Sequence, residues 1–216
     1  MNGLEIRRFT ATFQTRDSED GEHRIIGRPV VIGEETDLGF CREIIEPGAL
    51  DDTDLRDVLF FMNHDTTKIP LARSRNNNGN STMKLSVDKE GIEIDALIDT
   101  ENNADARALY SAVERGDIEG MSFMFSITGE TWEDEDTDSP LRRINSIGQI
   151  FEVSAVNWPA YPQTELSVRD KEALDSVKRS LDSARAAKAL ESAEVSEKQE
   201  LTLEKEKIIA LYGAGK

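Results

Sequence analysis

Two histidines in 216 residues leave few positions for acid–base chemistry near neutral pH. His64 ends an apolar run: Leu59-Phe60-Phe61-Met62 leads into Asn63-His64-Asp65, and Pro70 breaks the segment. An imidazole changes charge near neutrality, which suits a general base. His23 lies in the polar stretch 17–23 and reads as a solvated turn residue. A lone histidine is more often simply hydrogen-bonded, so His64 needs partners before any chemistry follows.

Acyl transfer needs a nucleophile, a base, an acceptor that orients the base and an oxyanion site. Ser122 opens the apolar run Met121–Phe125 just after Gly120, where a hydroxyl can face a cleft while its neighbours pack. By itself it would read as a strand serine bonded to the backbone. Ser126 shares its face and is the fallback. Cys41, beside Arg42, reads as a buried structural thiol. Glu152 is a lone acid within an apolar run, and a buried carboxylate demands a cation or an imidazole. Asp65 adjoins His64, but strand neighbours point to opposite faces, so it is the weaker orienter.

The net charge of −17 argues against nucleic-acid and anionic-membrane partners, which need Lys and Arg. One cysteine allows neither an internal disulfide nor a cysteine-rich zinc site. No phosphate loop and no GxGxxG occurs, so no cofactor is expected. Neither a signal peptide nor an apolar run near 18 residues stands out, and the chain reads as cytoplasmic. The charge is uneven. Residues 170–216 hold ten acids and nine bases, and residues 1–169 hold 33 acids and 17 bases.

These side chains need a scaffold. Residues 4–14 and 24–33 read as strands, with a turn at 17–23. Residues 83–99 read as a hairpin through Asp88-Lys89-Glu90-Gly91. Residues 101–120 predict a helix: Asn102, Asn103 or Asp105 would cap it, Ala106, Leu109, Tyr110 and Val113 would share a face, and Gly116 would end it. Residues 121–132 read as a strand, 133–140 as an exposed acidic loop, and 141–168 as two short strands closed by Pro159 and Pro162. Many strands around one helix predict a mainly β, α+β fold, closed or nearly closed into a barrel. From about 170 the texture is helical. Leu174, Val177, Leu181 and Ala184 form an apolar stripe that Leu201, Ile208 and Leu211 renew. The expected organisation is a domain over 1–169 and a detachable helical arm over 170–216.

Four segments in order carry a resemblance: "GFCREIIEPGAL", "FMNHDTTKIPLARS", "RGDIEGMSFMF" and "FEVSAVNWPAYPQTELSVR". Together they resemble the prohead (capsid maturation) serine proteases of tailed phages, which are related in fold to herpesvirus assemblins. The resemblance spans roughly residues 4–169. It implies an assemblin-like barrel with His64 as general base, Ser122 as nucleophile and Glu152 as third member. Herpesvirus relatives use a second histidine in that third place, and this chain has only His23 to offer. Ala72 stands where the family usually has glycine, and Arg73 beside it is the candidate to support the oxyanion or substrate. The implied substrates are the major capsid protein with its scaffolding segment, the scaffold, and the chain itself. Self-association and a place in the host cytoplasm, inside the assembling procapsid, are implied as well.

Two rival readings stand beside this. A catalytically inactive scaffold or assembly protein of the same fold would look much alike, but His64 and Ser122 are both present. Another hydrolase would normally carry GxSxG, and "GMSFM" lacks the second glycine.

Overall fold

Apolar-rich runs build the strands of this chain into mainly antiparallel ladders. A computed structural model describes residues 4–10, 13–17, 21–157 and 168–213. The strands are β1 (Glu5–Thr10), β2 (Phe13–Asp17), β3 (His23–Val31), β4 (Glu35–Asp37), β5 (Arg42–Ile45), β6 (Leu59–Met62), β7 (Ala72–Arg73), β8 (Met83–Asp88), β9 (Gly91–Ile98), β10 (Gly120–Glu133) and β11 (Leu141–Val156). The helices are α1 (Ala104–Glu114) and α2 (Val168–Gly213). The fold is mainly β with two helices, as expected.

The strands form two sheets. One runs β1-β10-β11-β5-β4, with β6 also on β11 and β7 on β6; the other runs β2-β3-β9-β8. The expectation was a barrel closed or nearly closed; the ladders among the described residues form two sheets that do not close into one. β11 is the reason for the open layout. It pairs antiparallel with β10 on one side. On the other it takes β5 parallel over Leu141–Ile144 and β6 parallel over Glu152–Ala155. The first sheet branches there.

Three local expectations change. The single strand expected over 4–14 is two strands in different sheets. The two short strands expected over 141–168 are one strand of 16 residues, and Pro159 and Pro162 lie outside the described residues. His23 starts β3 rather than sitting in a turn.

Other elements form as read. The β8–β9 hairpin pairs Asp88 with Gly91. Gly91 adopts φ +136°, and a Cβ there would stand 1.9 Å from the carbonyl oxygen of Val30, so only glycine fits. In α1 the cap is Asn103: its Oδ1 accepts from the amides of Asp105 (3.0 Å) and Ala106 (3.3 Å). Gly116 follows the helix at φ +75°. Ala106, Leu109, Tyr110 and Val113 are its buried face.

The core joins Phe60, Met121, Phe123, Phe125, Ile144, Ile147, Ile150 and Val153 to Ile25, Ile92 and Ile94. Phe123 and Phe125 stack at 4.4 Å. The chain divides into two compact units, Met1–Ser176 and Val177–Lys216. In α2 the Leu174, Val177, Leu181, Ala184 stripe is less exposed than its flanks, and every residue from Arg185 to Lys207 is exposed. The side chains of Ile208 and Leu211 lie outside the description. No described helix is long and apolar enough to cross a membrane.

Candidate active site

Three neighbouring strands bring the candidate residues together. In the β10–β11 ladder Ser122 stands opposite Ser154 and Met124 opposite Glu152. On the other side of β11, Ser154 pairs with Phe61 and Ala155 with Met62, so the end of β6 arrives beside Ser154. There the chain turns sharply: Asn63 and His64 both have positive φ, 52° and 56°. That region is costly for residues other than glycine and persists only with support. The support comes from β11. The Asn63 amide donates to the carbonyl of Ala155 (2.8 Å), the Asn157 amide to Asn63 Oδ1 (3.2 Å), and the His64 amide to Ser154 Oγ (3.1 Å).

The turn sets the imidazole between Ser122 and Glu152. Nε2 of His64 lies 2.7 Å from Ser122 Oγ, and Nδ1 hydrogen-bonds Glu152 Oε1. A carboxylate only accepts, so Nδ1 carries the proton in that bond. The second oxygen, Oε2, accepts from Ser154 Oγ at 2.7 Å. Ser122 Oγ also reaches the carbonyl oxygen of Arg7, again at 2.7 Å. The site is closed: Ser122 is 0% exposed, Glu152 2% and His64 5%. The chain Ser–His–carboxylate is the arrangement that activates a hydroxyl for nucleophilic attack.

The other candidates lie elsewhere. Ser126 stands opposite Gln149, beyond an irregularity that follows Met124. Asp65 caps its own turn, accepting from the amide (3.1 Å) and hydroxyl of Thr67. The Arg73 guanidinium forms a two-pronged pair with Asp57, with Nε 2.7 Å from Oδ1. Cys41 is buried, and burial with Glu43 nearby pushes its thiol up to about 12, so it holds its proton at neutral pH. His23 is not merely solvated: Nδ1 meets Asp17 Oδ1 at 2.9 Å, and its ring sits edge-on to Tyr110 at 4.8 Å. Among the described residues no group of three or more His, Cys, Asp and Glu side chains is placed to hold a metal ion.

Two features escaped the sequence. Ser154 touches both His64 and Glu152. Beside the site, Arg7 and Arg142 share Glu5 and Glu43 in a buried network that joins β1, β5 and β11, and Arg142 adds Glu130 of β10. Arg142 Nη1 lies 2.7 Å from Glu5 Oε2 and 2.9 Å from Glu43 Oε2. Burial alone would raise the Glu5 pKa, but the Arg142 hydrogen bond and the Arg7 charge outweigh it and hold it below its ordinary value. Burial alone would lower Arg7, and Glu43 outweighs it. The signal is partial: Glu43 shares its strand face with buried Ile45 and Arg142 with buried Ile144, where charges of opposite sign imply pairing.

Known proteins resemble this chain in sequence. The prohead protease of Enterobacteria phage HK97 is 29% identical over 129 residues, which is 58% of this chain and 52% of that protein. The chain thus spans about half the length of this curated relative. Among solved structures, the bacteriophage T4 capsid assembly protease, gp21, aligns over 73% of this chain and 100% of its own, with 11% identity and a TM-score of 0.42. The family described as caudovirus prohead serine protease matches residues 11–180, an interval that takes in all four quoted segments together with His64, Ser122 and Glu152. By that match the chain belongs to the prohead serine protease family of tailed phages.

Proposed function

We propose that this chain is a serine endopeptidase of phage capsid maturation, working by Ser-His-Glu acyl transfer. The observation that carries the reading is the buried run of hydrogen bonds from Ser122 through His64 to Glu152. Ser122 attacks a peptide carbonyl, and His64 takes its proton at Nε2 and later delivers it to the leaving amine. Glu152 holds Nδ1–H, fixes the tautomer and stabilises the imidazolium. Backbone amides bind the oxyanion. Any help from Arg73 requires that it leave Asp57. Ser122 is fully buried here, so a peptide reaches it only after whatever covers it moves aside.

The proposed substrates are the major capsid protein with its scaffolding segment, the scaffold, and the chain itself, in the host cytoplasm inside the procapsid. The family and the name of its phage HK97 relative support this. With −17 net charge, proteins rather than nucleic acid or anionic membrane are the proposed partners, a second copy included. The proposed division is a protease domain over 1–169 and a separable arm over 170–216 that pairs with scaffold helices. Its support is a helix exposed along most of its length with Leu190, Val195, Leu201 and Leu203 in water. If a chain ending at residue 169 entered procapsids as well as the full chain, the recruiting role would be wrong.

Labelling by a fluorophosphonate, mapped by peptide mass, tests the nucleophile. The expected result is reaction at Ser122, lost in His64→Ala. Reaction at another serine, Ser126 foremost, would overturn the assignment.

A further inference from the structure

Ser154 is buried completely, yet it belongs to none of the roles above. Its hydroxyl spends both of its capacities on the catalytic pair. It accepts from the His64 amide at 3.1 Å and donates to Glu152 Oε2 at 2.7 Å. The first bond holds a histidine whose φ of 56° is unfavourable without restraint. The second leaves Glu152 with one oxygen for His64 and fixes which one. Ser154 also faces Ser122 in register, so nucleophile, base and carboxylate are all referred to one point on β11. A buried carboxylate with a free oxygen would rotate or draw in water; with Ser154 it is satisfied on both sides.

We infer that Ser154 is a positioning residue of the catalytic site: one hydroxyl sets both the left-handed backbone of His64 and the rotamer of Glu152. This rests on the Ser-His-Glu reading and assigns its geometry to a fourth side chain. Removing the hydroxyl releases two groups at once, and misplacement of about 1 Å in such a site costs on the order of 100-fold in rate. The loss falls on kcat, because Ser154 acts through His64 and Glu152 and stands behind them.

The test uses the full chain with a capsid-derived peptide, in wild type, Ser154→Ala, Ser154→Thr, Ser154→Val and Ser122→Ala. Thr and Val match in volume and differ by the hydroxyl. Expected are a kcat in Ser154→Ala lower by about 10- to 100-fold with KM within about twofold, recovery in Ser154→Thr relative to Ser154→Val, and a changed downfield Nδ1 proton resonance of His64 in Ser154→Ala. The resonance needs no substrate and separates positioning from general loss of stability. A Ser154→Ala chain with wild-type kcat and an unchanged resonance would overturn the inference. So would equal activity of the Thr and Val variants. Cleavage by Ser122→Ala at the wild-type rate would instead overturn the Ser-His-Glu reading itself, whatever Ser154 does.

Discussion

Ser122 Oγ lies 2.7 Å from the main-chain carbonyl oxygen of Arg7, the same separation as from His64 Nε2. A serine hydroxyl has one proton, so these two acceptors compete for it. Under the proposed mechanism, a proton toward Nε2 readies Ser122 to lose it, and a proton toward Arg7 leaves Nε2 carrying a hydrogen and unable to act as the base. Glu152 decides between them, because a carboxylate demands the proton at Nδ1 and leaves Nε2 an acceptor.

Glu152→Gln should therefore reverse the choice. Its amide can donate to Nδ1, which moves the ring proton to Nε2 and turns the Ser122 hydroxyl to Arg7. The corresponding change in Ser-His-Asp enzymes costs about 10⁴ in kcat. A loss of roughly 10³ to 10⁴ with KM little changed is expected from steady-state kinetics on a peptide substrate. A loss under about tenfold would remove Glu152 from the role.

The network beneath β1 predicts a large stability effect at Arg142. Arg142→Met leaves Glu5 and Glu43 with Arg7 alone, and Glu130 loses its Arg142 bonds. Removing one partner from a buried ionic group typically costs about 3–5 kcal/mol. Chemical denaturation should show a loss of that size. Adding Glu5→Gln to Arg142→Met should recover part of it, because one uncompensated charge then disappears. Full additivity of the two losses would contradict the coupling.

The same network sets an acid limit. Glu5 has a folded pKa below its ordinary 4.5. A group depressed on folding contributes stability that is complete above the unfolded value and is lost as pH falls through the folded one. Melting temperature followed downward in pH should therefore drop once pH passes below about 4.5. Glu5→Gln should start less stable at neutral pH and show a shallower acid slope. An unchanged slope in that variant would place the acid sensitivity elsewhere.

Cys41 should be inert. Its thiol is buried and raised to about 12, so almost no thiolate exists at neutral pH. Ellman's reagent should not react with the native chain and should titrate one thiol after denaturation. Rapid reaction in the native state would reopen a cysteine nucleophile.

The candidate residues were more legible than the architecture. His64, Ser122 and Glu152 each stood out as a polar residue at the edge or centre of an apolar run, and that contrast is local. Their meeting is not local: residues 58 and 88 apart along the chain join through a branched sheet. Ser154 gave no contrast, because a serine in a strand is unremarkable until its register opposite Ser122 is known. Gly148 lies inside β11 at a close approach, where a Cβ would stand 2.8 Å from Thr128 Cγ2 and 3.1 Å from Ser126 Oγ. His23 was read as solvated because its partner Tyr110 arrives from α1, far along the chain. The hairpin turn over Asp88–Gly91 and the start of α1, narrowed to a cap at Asn102, Asn103 or Asp105, were readable because their causes lie within a few residues.

Co-expression with the cognate capsid protein, read by intact mass for wild type, Ser122→Ala and His64→Ala, asks whether Ser122, activated by His64, cuts capsid protein. Shortened capsid protein is expected with wild type alone. Shortening by Ser122→Ala, or intact capsid protein with all three folded forms, would overturn the proposed protease.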